Sequence, residues 1–318
     1  MWDVTVMRVL TLTLNPAIDE TIRVDRLVRG EVHRARSVRY NAGGKGIDVA
    51  SCLADWGTEV VAAGFLGAKN DALFERLFKD KGIADRFVRV DEATRVNVTV
   101  VDDEGTTDFY LPGLAVGAHD LSMLTAEIGD LAAGGNLAIA ALSGSLPSGC
   151  PAGIYASMTA NLAKKGIKVL LDASGEALSV SMAAPVPPFA IKPNRDELSE
   201  LVGRKLESMA DILSAAREIC EQGVVLAVVS MGAEGALFFT RERALVATKT
   251  MELHGSTVGA GDAMVAGIAA ALLEGGSPER IARLGTAFSV GKLSLFGPNL
   301  PEKTVVESLA AEVTLREM

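Results

Sequence analysis

The chain has 318 residues, of which 49% are hydrophobic and 5% aromatic, and its formal net charge is -9. This composition excludes a disordered chain, and the many small aliphatic residues favour helices packed on a parallel sheet over an all-β sandwich. The acidic balance argues against nucleic-acid binding, which depends on neutralising phosphates. We expect a cytoplasmic protein with reduced thiols and no membrane contact, because the three cysteines are widely spaced and no apolar run approaches the roughly 20 residues that span a bilayer.

The first third of the chain contains two different strand patterns. An apolar strand over 8–14 ends at Asn15-Pro16, whereas segments within 20–40 and 95–111 alternate between apolar and polar residues. Such alternation predicts strands with one buried face and one polar face. We expect the two alternating pairs to form one small β-sheet that covers the main domain as a lid. A strand over 59–63, a helix near 71–81 and a strand near 86–90 lie between them.

From about residue 120 onward, helical and strand patterns alternate regularly. Helices are predicted over 120–133, 151–165, 194–202, 208–222 and 260–274, and strands over 137–142, 167–171, 189–191, 224–229, 235–240 and 244–250. This rhythm is typical of βαβ units with a mainly parallel sheet. We therefore predict an α/β fold, a doubly wound sheet flanked by helices, as a single domain over 8–318.

The strongest chemical signal is the run Ser256–Met264, which contains Val258-Gly259-Ala260-Gly261-Asp262 directly before an apolar helix. Glycine at 259 and 261 lets the backbone approach a ligand closely. The first amides of the helix lack intrahelical partners and lie at the positive end of its dipole. This helix start predicts a site for phosphate or a developing oxyanion, with Asp262 as general base. The alternative is an ordinary helix start in which Asp262 is a first-turn acid.

A second glycine-rich turn, Asn41–Gly46, precedes a helix that ends near Trp56. Its three glycines and Lys45 suit a phosphate or sugar hydroxyls, and a turn required only for packing is the alternative. The spacing is not that of a P-loop.

The segment Lys192-Pro193-Asn194-Arg195-Asp196-Glu197 follows an apolar strand end. One helical turn can aim Asn194 and Glu197 at one point, which suits the hydration shell of Mg²⁺. The alternative is a helix-capping pair, with Asn194 at the N-cap and Glu197 three residues later.

Further polar turns follow other strands. Ser230–Ala236 and Ser143–Pro147 each suit either a ligand or a structural turn. Asp19 and Arg95 each fit an ordinary surface charge when considered alone. The three histidines show no metal-ligand spacing.

Together these motifs resemble the PfkB (ribokinase-like) family of carbohydrate kinases over nearly the whole chain. The stretches that carry the resemblance are, in order, Thr11–Asp19, Gly64–Gly67, Thr94–Asn97, Ser143–Gly149, Asp172–Leu178, Lys192–Glu197 and Ser256–Asp262.

The resemblance implies a ribokinase-like fold, often a homodimer through the lid, that uses ATP and Mg²⁺ to phosphorylate a sugar phosphate. The expected reaction converts fructose 1-phosphate to fructose 1,6-bisphosphate. Fructose 6-phosphate, tagatose 6-phosphate, and a non-phosphorylated sugar or polyol are the alternative substrates. A catalytically silent regulator that binds sugar or nucleotide is the non-enzymatic alternative.

The resemblance also implies roles for individual residues. Asp262 matches the catalytic base, and the anion hole is matched by Gly259, Ala260 and Gly261. The sugar site is matched by Asp19, Gly43, Gly44, Lys45, Asp48, Arg95 and Ser143, with Arg95 gripping the phosphate already on the substrate. The nucleotide region is matched by Lys192, Asn194, Ser230, Gly232, Gly235 and Thr257, with Glu197 near Mg²⁺ through water.

One position departs from the family pattern Gly-Lys-Gly-Ile-Asn, because this chain has Asp48 where the family has asparagine. An ionised aspartate can only accept hydrogen bonds, whereas asparagine can also donate. The exchange also places a negative charge near an anionic substrate, which keeps the non-phosphorylated alternatives open.

Overall fold

The computed structural model describes residues 7–250 and 258–318. The strands are β1 (Arg8–Thr13), β2 (Ala17–Arg23), β3 (Ser37–Gly43), β4 (Val60–Gly67), β5 (Ala84–Val90), β6 (Val96–Val101), β7 (Thr106–Phe109), β8 (Leu137–Ser143), β9 (Lys168–Asp172), β10 (Ala190–Ile191), β11 (Leu226–Ser230), β12 (Ala236–Phe239), β13 (Ala244–Thr248) and β14 (Thr314–Glu317). The helices are α1 (Lys45–Trp56), α2 (Ala72–Lys81), α3 (Ala118–Ala133), α4 (Ile154–Ala163), α5 (Gly175–Met182), α6 (Arg195–Val202), α7 (Met209–Glu221), α8 (Ala260–Leu273), α9 (Pro278–Lys292) and α10 (Lys303–Glu312).

Ten strands form the main sheet in the order β14-β13-β12-β11-β10-β9-β8-β1-β4-β5. The seven strands from β11 to β5 in this order are parallel to one another. Strands β12, β13 and β14 each pair antiparallel with the preceding strand at one edge of the sheet. Strand β4 is buried at every position, as expected for a parallel strand covered on both faces. The predicted mainly parallel α/β sheet is confirmed.

Helix α8 lies in the apolar core on one face of this sheet. Its residues from Asp262 to Ala271 are all buried, and α9 packs beside it. A helix that is apolar all round is stable only in such surroundings. Its burial fixes the position of its N-terminus relative to the sheet.

The second sheet has four strands in the order β3-β2-β6-β7. Asp19 on β2 lies opposite Asn41 on β3 and opposite Asn97 on β6, so three polar residues form one row across the sheet. The two alternating segments therefore join in one small sheet, as predicted. The sheet extends further than predicted, because β2 begins at Ala17 and β3 continues to Gly43 in the glycine-rich turn.

Several elements were not predicted from the sequence. They are α5, α9, α10 and β14, and α4 also begins at Ile154 rather than at residue 151. Strand β14 (Thr-Leu-Arg-Glu) has no buried position and is defined by its pairing with β13. Within the two described ranges, no helix has both the length and the apolar character needed to cross a membrane.

Gly64 controls how closely β4 can approach β1. It pairs with Thr13 and has φ +139°, and a Cβ at this position would lie 1.8 Å from the Thr13 carbonyl oxygen. No side chain fits there without separating the two central strands.

We predict that Gly64→Ala lowers the free energy of unfolding by about 2–5 kcal/mol, through overpacking and an unfavourable φ. Urea denaturation measures this change. The matched control is Gly129→Ala in α3, where an added Cβ meets no atom within 4 Å and alanine is the better helix former. Equal stability of the two variants would contradict the prediction.

Candidate active site

The candidate site lies at the carboxyl ends of neighbouring parallel strands. Ser143 ends β8, Asp172 ends β9, Lys192 follows β10 directly and Ser230 ends β11. These four strands are adjacent in the sheet. Ligands of open α/β sheets bind at this edge.

Asp262 lies in the first turn of α8, and its side chain keeps 8% of its surface exposed. The Lys45 Nζ donates to Asp262 Oδ1 at 2.7 Å. Gly259 caps the helix with φ +81°, a left-handed conformation that favours glycine. The intrahelical ladder includes the Ala263 amide, which donates to the Gly259 carbonyl at 2.9 Å. The amides of Ala260, Gly261 and Asp262 precede it at the positive end of the helix dipole.

A chain of alternating charges connects this helix start to the sheet. Lys45 Nζ lies 3.0 Å from Asp172 Oδ2, and Lys192 Nζ lies 3.2 Å from Asp172 Oδ1. Asp172 and Lys192 are both buried. The sequence assigned Lys45 to the sugar and Lys192 to the nucleotide, whereas the structure joins both to Asp172. Asp172 was missed as a site residue, although it stands at a strand end in one of the recognised stretches.

The two carboxylates bound to Lys45 have opposite pKa shifts. Burial acts to raise the pKa of Asp172, but the ammonium groups of Lys192 and Lys45 outweigh it and hold this pKa below its ordinary value. Burial raises the pKa of Asp262, Lys45 opposes that shift, and the nearby charge of Asp172 adds to it. Asp172 therefore stays ionised, while Asp262 binds a proton more readily than an exposed aspartate does. A general base needs such an increased proton affinity.

The small sheet places Asp19 near Asp262, whose charge contributes to the raised pKa of Asp19. A Cβ at Gly43 would lie 2.0 Å from Asp19 Oδ2, so glycine lets the carboxylate lie against the backbone. Asn97 Nδ2 donates to Asp19 Oδ1 at 3.2 Å. Burial raises the pKa of Asp19, and the Asn97 hydrogen bond and the charge of Arg95 oppose this shift.

Gly44 has φ +126° and packs against Thr13 and Pro16, so packing accounts for this glycine.

Arg95 lies half-buried at the junction of the small sheet and β1. Its guanidinium donates to three backbone carbonyls, those of Asn15 at 3.2 Å, Pro16 at 3.3 Å and Leu111 at 3.3 Å. A guanidinium carries five N–H donors, so two remain for a ligand. Arg95 is therefore held in place rather than free on the surface.

Asn194 and Glu197 form a reciprocal capping box at α6. Asn194 Oδ1 accepts from the Glu197 amide at 2.8 Å, and Glu197 Oε2 accepts from the Asn194 amide at 2.8 Å. The capping alternative is thus the observed arrangement. The capping box does not use Glu197 Oε1, an oxygen that could hold Mg²⁺ through water, since proteins commonly bind this ion through few carboxylates, waters and substrate phosphates. In the described part of the chain, no group of three or more His, Cys, Asp or Glu side chains forms a metal site.

The remaining predicted site residues differ in how closely they are packed. Ser143 is fully buried, and its carbonyl accepts from the Tyr155 hydroxyl at 3.2 Å. A Cβ at Gly235 would lie 2.2 Å from the Ala247 carbonyl, so packing requires this glycine. Gly232, with φ +59°, has open space beside it, and the Ser230 amide donates to Pro193. Thr257 lies outside the described residues.

Asp48 lies half-buried in the first turn of α1. Burial, followed by the charges of Asp262 and Asp19, raises its pKa well above the ordinary value, although Lys45 and Lys292 act in the opposite direction. A protonated carboxyl carries an O–H donor, so Asp48 in this form can donate as asparagine does. The raised pKa keeps this donor form up to a higher pH than in an exposed aspartate.

Comparison with known proteins shows the family to which the chain belongs. A 1-phosphofructokinase of Xanthomonas campestris pv. campestris is 48% identical over 292 residues, which cover 90% of this chain and 91% of that protein. A 1-phosphofructokinase of Rhodobacter capsulatus is 42% identical over 98% of both chains. The crystal structure of phosphofructokinase-2 from Escherichia coli in complex with potassium superposes with a TM-score of 0.88, at 30% identity over 96% of this chain and 98% of that one. The model of the pfkB family of carbohydrate kinases matches residues 12–304, and the chain belongs to this family of ATP-dependent sugar kinases.

Proposed function

We propose that the protein transfers the terminal phosphoryl group of ATP to a hydroxyl of fructose 1-phosphate, giving fructose 1,6-bisphosphate. The observation that carries the proposal is Asp262, a carboxylate of raised pKa held by Lys45 beside the glycine turn of α8. The two 1-phosphofructokinases similar over nearly the whole chain support this substrate.

In the proposed reaction, the substrate hydroxyl oxygen attacks the terminal phosphorus, and the bond from that phosphorus to the ADP oxygen breaks. Asp262 accepts the hydroxyl proton. The amides that begin α8 and the Lys192 ammonium, which lies 3.3 Å from the Cβ position of Gly261, offset negative charge on the transferring group. Glu197 would hold Mg²⁺ through water, and the ion would supply further positive charge near the phosphates.

The small sheet supplies the sugar side of the proposed site. Asp19 is placed to accept from sugar hydroxyls, and the two free donors of Arg95 suit the phosphate already on the substrate. As a lid, the sheet would exclude water, which competes as phosphoryl acceptor.

Exposed apolar residues on β3 and β7, namely Val38, Tyr40 and Phe109, support a homodimer through this sheet. We place the enzyme in the cytoplasm, where ATP is available.

The first prediction concerns the general base. Asp262→Asn should bind both substrates but lose about two to four orders of magnitude in kcat, because the amide cannot accept the proton. A coupled ADP-release assay with fructose 1-phosphate, fructose 6-phosphate, tagatose 6-phosphate and fructose measures this loss and also identifies the preferred substrate. Asp120→Asn, a first-turn acid of α3, is the control that should keep the parent rate. A near-normal kcat in Asp262→Asn would remove Asp262 from this role.

The second prediction concerns the substrate phosphate. Arg95→Ala should raise the KM for fructose 1-phosphate by about 10- to 100-fold, as expected for the loss of charge-assisted hydrogen bonds. The KM for unphosphorylated fructose should change little. Arg23→Ala serves as control, because Arg23 lies in the small sheet that Arg95 adjoins and is paired with Asp103 on the surface. Equal effects on the two sugars would assign Arg95 a structural role only.

The third prediction concerns Asp48 and pH. Its raised pKa means that Asp48 is protonated and neutral at lower pH and becomes a negative charge as pH rises through that pKa. The KM for the sugar phosphate should therefore rise with pH in the parent protein, and Asp48→Asn should remove that rise. Measurements of KM from about pH 6 to about pH 9 on both proteins test this. Parallel pH profiles would contradict it.

A further inference from the structure

Lys292 is a buried lysine that no sequence motif identified. It ends α9, and its residue is 8% exposed. Its side chain lies along the glycine turn of α8, because a Cβ at Gly259 would be 3.1 Å from Lys292 Cε and 3.7 Å from Nζ. Gly259 thus leaves the space that the lysine occupies.

Two ammonium groups therefore lie beside the same helix start. Lys192 Nζ is 3.3 Å from the Cβ position of Gly261, and Lys292 Nζ is 3.7 Å from that of Gly259. The lysines come from different elements, since Lys192 follows β10 and Lys292 ends α9. The amides of residues 260–262 follow Gly259 and include that of Gly261, so an anion bound to them would be near both positive charges.

The carboxylates near Lys292 determine whether its positive charge is available to bind a ligand. Asp172 and Asp262 are bound by Lys45 and Lys192. Within residues 7–250 and 258–318, no side chain forms a hydrogen bond or ion pair with the Lys292 ammonium, and a carboxyl whose pKa Lys292 lowers is that of Asp48. The raised pKa of Asp48 favours its neutral form, which does not offset the charge of Lys292. A buried cation without a full counter-charge is costly, and a bound anion removes that cost.

We propose that Lys292 contacts the transferring phosphoryl group and, with Lys192 and the amides of residues 260–262, encloses its oxygens. The inference rests on the phosphoryl transfer proposed above and adds a catalytic residue to it. Lys292 forms no covalent bond in this step. Its charge stabilises the phosphoryl oxygens while the bond to ADP breaks and the bond to the sugar oxygen forms.

The test compares Lys292→Met, which keeps an apolar stem beside Gly259, with the parent protein. We expect kcat to fall by about 10- to 100-fold, at or below the effect of removing one oxyanion donor. The affinity for a non-hydrolysable ATP analogue should fall, while that for ADP should not, because ADP lacks the terminal phosphoryl group. Isothermal titration calorimetry gives the ratio of the two dissociation constants. Lys81→Met is the matched control, since it also removes a largely buried ammonium from a carboxylate, Asp55, outside the site.

The double variant Asp48→Asn/Lys292→Met separates phosphoryl binding from simple neutralisation of Asp48. If Lys292 contacts the phosphoryl group, the double variant stays as slow as Lys292→Met. Recovery of kcat in the double variant, or an unchanged ratio of dissociation constants in Lys292→Met, would overturn the inference. Failure of the parent protein to turn over any sugar would instead overturn the proposed function, and the ratio of dissociation constants would still test Lys292.

Discussion

The site depends on one buried carboxylate. Asp172 lies between the ammonium groups of Lys45 and Lys192, at 3.0 Å and 3.2 Å, and each of these lysines also reaches the start of α8. Buried charges are stable only when they are paired, so this arrangement holds the ends of β9 and β10 and the first turn of α1 in one place. Asp172 also fixes the position of Lys45, the hydrogen-bond partner of Asp262. The orientation of the Asp262 side chain therefore depends on Asp172.

Glycines make this concentration of charge possible. At Gly43, Gly259 and Gly261, the position that a Cβ would occupy is close to a charged side chain, namely Asp19, Lys292 and Lys192. Each glycine therefore lets a charged group approach the backbone, in addition to any unusual φ that it adopts. Other glycines of the same motifs serve packing instead, as Gly44 does against Pro16 and Gly235 does against Ala247. A glycine-rich motif thus contains two kinds of position that the sequence alone does not distinguish.

The features set by local pattern were predictable, and those set by distant partners were not. The run Gly259-Ala260-Gly261 placed the start of α8 correctly, and period-two alternation identified the small sheet. Asn194 and Glu197 supported two local interpretations, and their mutual hydrogen bonds show the capping pair. Asp172 and Lys292 were missed because their contacts are with residues distant in the sequence. Asp172 pairs with Lys45, and Lys292 lies beside Gly259. Strand β14 was missed for the same reason, since its pairing with β13 defines it.

The opposite pKa shifts of Asp172 and Asp262 suit the two carboxylates to different tasks in the proposed reaction. Asp172, with its lowered pKa, keeps a permanent charge that positions cations, whereas Asp262 keeps an affinity for a proton. An anionic phosphoryl group at the helix start would raise the pKa of Asp262 further, because like charge disfavours the ionised form. The phosphoryl group would also attract the Lys192 ammonium and so weaken its ion pair with Asp172. The negative charge of Asp172 would then act more strongly on Asp262. The proposed base would then be strongest when the phosphoryl group is in place, so the charges that bind the nucleotide would also favour removal of the hydroxyl proton.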